Sequence, residues 1–339
     1  MGKDRQISTG RKSMRNVYLT MVAAGAAILV VLANAASAQE GKSIYVIGAR
    51  SDDAFFAVIK KGVDDAAKAM QPYGGSVKYL ALQSYDKIGA DTADLVRTAT
   101  NQGAAGIAVP NWVPEAENPA ITAAISAGIP VMLYNSGSVD VANAVGALNY
   151  IGTDDKLAGI EGGKYLAQNG ATNAVCVNTV PGSANLEARC GGIAEAMTAA
   201  GKAAKQLPLP ATSFGDPIAV TEAIKARLLN DPTIDSVITV GQVDADSAAN
   251  AIAQAGANGR VKLASFDVSQ RVLNRIKDGT QMFAIDQQPY LQGFLATSLL
   301  HSYVAFGSAV PTKPILTGPT IVDSSNVEQV LAGAKQGTR

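Results

Sequence analysis

The chain has 339 residues, 47% of them hydrophobic and 17% charged, which is enough for two domains of ordinary size. Its 28 basic residues balance its 28 acidic residues, and no basic stretch with interleaved aromatic residues follows the first fifteen positions, which argues against nucleic-acid binding. One histidine and two cysteines supply no cluster for a zinc or iron site, and no dinucleotide or phosphate-binding glycine motif follows a strand, so we expect neither a metal ion nor a cofactor.

The N-terminus has the three parts of a secretory signal peptide. Five basic residues within positions 1–15 precede an apolar run at 17–32, and the small residues Ala36-Ser37-Ala38 follow. A membrane anchor is the alternative, but the run is shorter than the roughly 20 residues that span a bilayer. We predict cleavage after Ala38 and a mature protein free in the periplasm, with 23 positive and 27 negative side chains.

From Ser43 onward, short β-branched runs alternate with amphipathic stretches. In the first half we predict strands at 44–48, 77–82, 106–109 and 131–134, separated by helices at 55–70, 91–102 and 119–127. Asn118 is the expected N-cap of the last helix, with Pro119 at its first position. This alternation is typical of a parallel sheet covered by helices on both faces, and so of the α/β class.

The same alternation restarts in the second half. At an offset of 130 residues, residues 44–47 align with residues 174–177 without a gap, and the next strand repeats at an offset of 127. Two matches in series predict a second doubly wound lobe. The alternative is that all strand-helix units look somewhat alike.

The two cysteines fall within this second half. Export would place Cys176 and Cys190 in an oxidising compartment, where a disulfide is chemically allowed. Spacing alone does not bring two Cα atoms within bridging distance, so we expect two buried thiols without a bridge, one on a strand and one on the following helix.

Candidate site residues follow the predicted strands. In open parallel sheets a ligand binds beyond the carboxyl ends of the strands, and two facing lobes enclose a cleft there. The candidates are Asp53, Phe55, Phe56, Trp112 and Asn135 in the first half, and Arg189, Gln242, Asp244, Asp267 and Gln287 in the second. Carboxylates, amides and an arginine pair with the hydroxyls of a sugar or polyol, while aromatic rings cover its C–H face.

Each candidate also has a purely structural explanation. Phe55 and Phe56 would ordinarily belong to the core, although two adjacent side chains cannot share one helical face, so at least one should point elsewhere. Trp112 could fill a loop. Asp267 could cap the following helix, and Arg189 could pair with an acidic neighbour at the surface.

Taken together, these residues resemble the type I periplasmic sugar-binding proteins of ABC importers, in the ribose- and galactose-binding branch. The resemblance covers about residues 43–322, and its markers are the segments 53–56, 102–107, 127–131, 151–154, 181–189, 266–267 and 287–290. It implies two doubly wound parallel-sheet lobes joined by a three-segment hinge. The expected division is a signal peptide at 1–38, an N-terminal lobe at 39–152 plus 287–310, and a C-terminal lobe at 153–286 plus 311–339. Crossings are expected near 152–154, 286–288 and 308–314.

The resemblance also implies roles for single residues. Ligand contacts are implied for Asp53, Phe56, Arg189, Asp267 and Gln287, with Gln242 or Asp244 at a further strand end. Asp154 and Gln287 would lie near hinge crossings, and Asp154 is also a candidate ligand-binding residue. The chain departs from the family pattern at Asn135-Ser136, where many members carry Asp-Arg. An ionic bidentate clamp is thereby lost.

The function implied by the resemblance is that of a monomeric receptor without catalytic residues, which binds a small sugar or polyol and delivers it to the membrane subunits of an ABC permease. A chemoreceptor is a further candidate partner. Two alternatives remain open: a receptor for a small furanose-like signal, and a secreted hydrolase or isomerase that uses Asp52, Asp53 or Asp267.

Overall fold

The computed structural model describes Gly2 and residues 43–339, so the predicted signal peptide lies, except for Gly2, outside the described residues. The strands in chain order are β1 Ser43–Gly48, β2 Ser76–Ala81, β3 Gly106–Val109, β4 Val131–Asn135, β5 Tyr150–Thr153, β6 Asn173–Asn178, β7 Ala203–Pro208, β8 Ser236–Thr239, β9 Lys262–Phe266, β10 Phe283–Asp286, β11 Ile315–Gly318 and β12 Thr320–Val322. The helices are α1 Ala54–Met70, α2 Ile88–Asn101, α3 Pro114–Ser126, α4 Ser138–Val145, α5 Asp155–Gln168, α6 Ala184–Ala199, α7 Pro217–Asn230, α8 Gln242–Gln254, α9 Gln270–Lys277, α10 Pro289–Phe306 and α11 Val327–Lys335.

The strands form two six-stranded sheets. The first has the order β11-β5-β4-β3-β1-β2 and is parallel throughout. The second has the order β12-β10-β9-β8-β6-β7, in which β12 runs antiparallel to β10 and the other pairs are parallel. We call the first sheet with its helices the first lobe and the second sheet with its helices the second lobe. The predicted α/β class with two parallel-sheet lobes is confirmed.

The central strands are buried on both faces, as their continuous apolar runs predict. In β1 every residue from Ile44 to Ile47 has no exposed surface. Complete burial of one aliphatic side chain of this size contributes about 1.5 to 3 kcal/mol, so these runs hold each sheet between its two helical layers. Among the described helices, none is both long and apolar enough to cross a membrane.

Equivalent strands pair in the same register in the two sheets, which explains the sequence repeat. In the first sheet Ile44 pairs with Val77 and with Gly106. In the second sheet Ala174 pairs with Ala204 and with Ser236, at the same offsets that the sequence shows. The carboxyl ends of equivalent strands therefore carry equivalent positions in the two lobes.

The chain passes three times between the sheets. It leaves the first sheet after β5, and after β10 it returns through α10, which packs against α1. The third passage lies between β11 and β12, at Gly318-Pro319, and not at the predicted 308–314. Residues 315–318 pair with β5 and extend the first sheet by one strand, so the boundary expected at 311 comes too early.

The helix predicted to begin at Pro119 begins earlier. α3 starts at Pro114, and Pro119 lies inside it. The carboxylate of Glu117 accepts a hydrogen bond from the Val113 amide at 3.1 Å, which stabilises the earlier start. Asn118 is thus not an N-cap: its side-chain oxygen accepts from the Asn111 amide group at 2.7 Å.

The expectation of two unbridged thiols is wrong. Cys176 and Cys190 form a disulfide with their Cα atoms 5.6 Å apart, and both residues are buried. Because α6 packs directly on β6, a residue in the middle of the strand and one in the second turn of the helix come within bridging distance.

Candidate functional site

A cavity of about 650 Å³, counting its part that is open to solvent, lies between the strand ends of the two sheets. The lobes touch beside it. The Ala184 amide of the second lobe donates to the Trp112 carbonyl of the first at 2.8 Å, and the rings of Tyr85 and Phe214 meet edge to face with centroids 4.7 Å apart. All the predicted site residues except Asp154 line this cavity.

Asp53 is held at the start of α1 by three donors. One carboxylate oxygen accepts from the amides of Phe55 and Phe56, at 2.9 and 3.3 Å, and so caps the helix. The other accepts from the Tyr85 hydroxyl at 2.6 Å. Burial raises the pKa of Asp53, and these three hydrogen bonds oppose that rise. The carboxylate is therefore fixed in orientation before any ligand arrives.

Three aromatic side chains form a wall on the first-lobe side of the cavity. The ring centroids of Phe55 and Phe56 are 5.7 Å apart, as are those of Phe56 and Trp112. The expectation that one phenylalanine points elsewhere is wrong, since both are buried and both line the cavity. They lie in the first turn of α1. Because the N-terminus of the helix points at the cavity, two adjacent residues of this turn can both face it.

Asn135 and Asp267 occupy equivalent places in the two lobes, at the ends of β4 and β9. Both have left-handed backbones, with φ of 61° and 63°. Asparagine and aspartate tolerate this region better than most residues, and the kink turns their side chains out of the sheet and towards the cavity. Asp267 does not cap the next helix, because the Ser269 hydroxyl caps α9 by accepting from Val272.

Arg189 of α6 contacts α5 and the segments that follow β8 and β10, and it is almost fully buried. Its guanidinium donates to the Asp155 carboxylate at 2.8 Å, to the Val240 carbonyl at 2.7 Å and to the Gln287 side-chain oxygen at 2.8 Å. The Gln287 amide in turn donates to the Asp267 carboxylate. The alternative of a surface pair with acidic neighbours on α6 is therefore wrong.

Burial raises the pKa of two cavity-lining carboxylates of the second lobe. It raises the pKa of Asp267 to about 7, an effect that the Arg189 guanidinium and the Gln287 amide partly offset. It also raises the pKa of Asp244 to about 6, although the Thr179 hydroxyl donates to that carboxylate at 2.8 Å. Beside Asp244, the side-chain oxygen of Gln242 is buried and has no hydrogen-bond partner within the described residues.

These contacts leave the cavity rich in hydrogen-bond acceptors. Asp53, Asp244 and Asp267 each line it, whereas the guanidinium of Arg189 uses three of its five N–H donors on protein oxygens. Such a site suits a ligand with several hydroxyl donors and an apolar face that packs on the aromatic wall. An anionic ligand would meet three carboxyl groups, and the one cation among the described lining residues, Arg189, is already paired with Asp155.

Asp154 is the predicted residue that the structure places elsewhere. It is exposed and caps α5 by accepting from the Leu157 amide at 2.9 Å. Its neighbour Asp155 faces Arg189 instead, and no sequence signal separates the two adjacent aspartates. Tyr85 and Phe214 were also missed. They follow β2 and β7, the edge strands of the two sheets. The candidates were taken only from the ends of other strands, although the same reasoning applies to these two.

Comparison with known proteins identifies the family of this chain. Residues 44–308 match the family model described as a periplasmic binding protein domain. Among curated proteins, the xylose/arabinose-binding protein XylF of Sulfolobus acidocaldarius is 26% identical over 302 residues, which cover 83% of this chain and 71% of that protein.

Solved structures share the fold over most of the chain. A carbohydrate transporter from Acidothermus cellulolyticus 11B, in complex with myo-inositol, is 34% identical with a TM-score of 0.80, covering 88% of this chain and 100% of that chain. GanP, a glucose-galactose binding protein from Geobacillus stearothermophilus, is 20% identical with a TM-score of 0.73, covering 85% of this chain and 99% of that chain. The second likeness concerns the fold alone.

Proposed function

The chain belongs to the periplasmic binding protein domain family, and from that premise we propose that it is the substrate-binding component of an ABC sugar importer. It holds a monosaccharide or cyclic polyol between its lobes and delivers it to a membrane permease. The observation that carries this proposal is the acceptor-rich cavity with an aromatic wall, to which both lobes contribute. Its place of action is the periplasm, reached through the cleavable signal peptide.

The ligand we propose is uncharged and carries several hydroxyls. The lining carboxylates accept from hydroxyls. Asn135-Ser136 stands where the related pattern has an acidic and a basic residue, so the part of the lining that the structure describes has no second arginine for an anionic group. The 34% identical structure that holds myo-inositol supports a cyclic polyol, and the xylose/arabinose-binding relative supports a pentose.

Binding alone is sufficient for this role. A ring of about 12 non-hydrogen atoms needs about −8.2 kcal/mol for a micromolar Kd, or roughly −0.7 kcal/mol per atom, which is well inside the limit of about −1.5 kcal/mol for small ligands. No covalent step is needed, and we propose that the bound ring leaves unchanged.

Calorimetric titration of the purified protein tests the proposal. The panel contains myo-inositol, D-xylose, D-arabinose, D-allose and D-glucose, together with D-glucuronate as an anionic match for glucose. We expect one neutral member to bind at one molecule per chain with a Kd of about micromolar or tighter, and to be recovered intact after hours of incubation. Conversion of the ring, or a preference for glucuronate, would contradict the proposal.

A further inference from the structure

The disulfide encloses much of the second-lobe side of the cavity. Cys176 and Cys190 are 14 positions apart, and the segment between them runs from the end of β6 through a loop into α6. Six side chains of this segment line the cavity, namely Thr179, Val180, Ser183, Asn185, Leu186 and Arg189. A single cross-link therefore closes the stretch of chain that carries these contacts.

The far end of this segment is held from two directions. On one side, the bridge ties Cys190, the neighbour of Arg189, to the middle of β6. On the other, α5 touches the backbone of α6 directly, since a Cβ added to Gly159 would lie 2.2 Å from the Arg189 carbonyl oxygen and one added to Gly192 would lie 2.4 Å from that of Lys156. The helical turn that carries Arg189 has little room to shift.

Small shifts of this turn would disturb the cavity. The guanidinium of Arg189 reaches Asp155, Val240 and Gln287 at 2.7 to 2.8 Å, and Gln287 in turn holds the Asp267 carboxylate. Displacement by even about 1 Å breaks hydrogen bonds of this length. A segment that must be ordered during binding weakens affinity, whereas one ordered beforehand does not.

We propose that the Cys176–Cys190 disulfide is a positioning element for ligand binding, which orders the segment 179–189 before the ligand arrives. This inference rests on the proposed function. Opening the bridge leaves the fold in place, mobilises the segment and weakens ligand binding by about tenfold. The two cysteines act through the residues between them and do not touch the ligand themselves.

The test compares three proteins with the panel member that binds the wild type most tightly. They are the oxidised wild type, the double variant Cys176→Ala/Cys190→Ala, and Ile224→Ala, which removes buried packing from the same lobe away from the cavity. A fourth sample is wild type treated with a dithiol, which reduces the protein disulfide and is itself oxidised to a cyclic disulfide. The two protein thiols that result are counted to confirm the reduction. Affinity is measured well below each Tm.

We expect about tenfold weaker binding in the double variant and in the reduced wild type, and binding within about twofold of wild type in Ile224→Ala despite its lower Tm. Equal affinity in the oxidised and bridge-free forms would overturn the inference. Amide hydrogen exchange without ligand provides a second readout, in which only 179–189 should exchange faster when the bridge is absent. If no panel member binds the oxidised protein, the proposed function fails, and unchanged exchange would separately refute the positioning role.

Discussion

At the scale of single residues, some carboxylates line the cavity and others serve the fold. Asp267 lines the cavity, whereas the exposed Asp154 caps a helix outside it. Both aspartates directly follow a strand, but only Asp267 was a strand-end candidate, whereas Asp154 was named because of the resemblance. The difference comes from the backbone, because the left-handed conformation of Asp267 turns its side chain towards the cavity.

This contrast gives a matched pair of variants. Asp267→Asn keeps the shape of the side chain and removes the charge that accepts ligand hydroxyls, so binding of the preferred panel member should weaken by about 1 to 3 kcal/mol. Asp154→Asn should bind as the wild type does, because asparagine also caps helices. Calorimetric titration measures both. Equal losses in the two variants would mean that Asp267 is not a ligand contact.

The raised pKa values of Asp244 and Asp267, about 6 and about 7, predict how binding depends on pH. Ligand hydroxyls donate to the ionised carboxylates, so binding lowers both pKa values and releases protons. Affinity should therefore fall as the pH drops from about 7.5 to about 5. Titrations in two buffers with different heats of ionisation would detect the released protons, and Asp267→Asn should flatten the profile. A pH-independent affinity would show that these carboxylates do not bind the hydroxyls.

The stability of the ligand-free protein should respond in the opposite sense. The folded state holds a proton on Asp267 up to about pH 7, whereas an unfolded aspartate loses it near its ordinary pKa of 3.8. The contribution of this residue to stability therefore decreases as the pH rises between about 4 and 7. The Tm difference between Asp267→Asn and wild type should accordingly move in favour of the variant over that interval.

At the scale of elements, close helix packing sets the position of Arg189. α5 and α6 approach through glycines, and a methyl group at Gly159 would collide with backbone atoms that cannot rotate away. Gly191 lies on the exposed side of α6, where an added Cβ meets nothing within 4 Å. Substitution by alanine should thus affect stability differently at these two glycines.

We expect Gly159→Ala to lower stability by about 1 to 3 kcal/mol through overpacking. Gly191→Ala should be neutral or stabilising by up to about 1 kcal/mol, because alanine favours an exposed helix interior. Chemical denaturation measures both. A stable Gly159→Ala variant would show that the two helices separate more easily than their contact implies.

The helices and strands themselves were largely predictable from the sequence, and their exceptions have local causes. Apolar runs and helix periodicity identified the alternating elements. The start of α3 was predicted at Pro119, but the helix begins at Pro114, where the Glu117 carboxylate accepts a local hydrogen bond from the Val113 amide. β11 was missed because four residues carry little periodic signal and its pairing with β5 is a long-range contact. The disulfide was missed since spacing does not report a distance between Cα atoms.

At the scale of the whole molecule, two lobes of one topology face each other across a shared cavity. The first lobe contributes Asp53 and the aromatic wall, and the second contributes Arg189, Asp244 and Asp267. A ligand held by both sets of residues favours the closed arrangement over an open one. Shifting such an equilibrium from 1:99 to 99:1 requires about 5.5 kcal/mol of preference. Contacts with a single lobe are the same in both arrangements and give no preference.

The most direct test of this account is a crystal structure of the protein with the preferred neutral panel member bound. We predict a single ring in the cavity, packed on Phe56 and Trp112, with hydroxyl oxygens about 2.5 to 3.0 Å from the carboxylates of Asp53 in the first lobe and Asp267 in the second. A ring bound outside the cavity, or one that contacts the residues of one lobe only, would contradict the account.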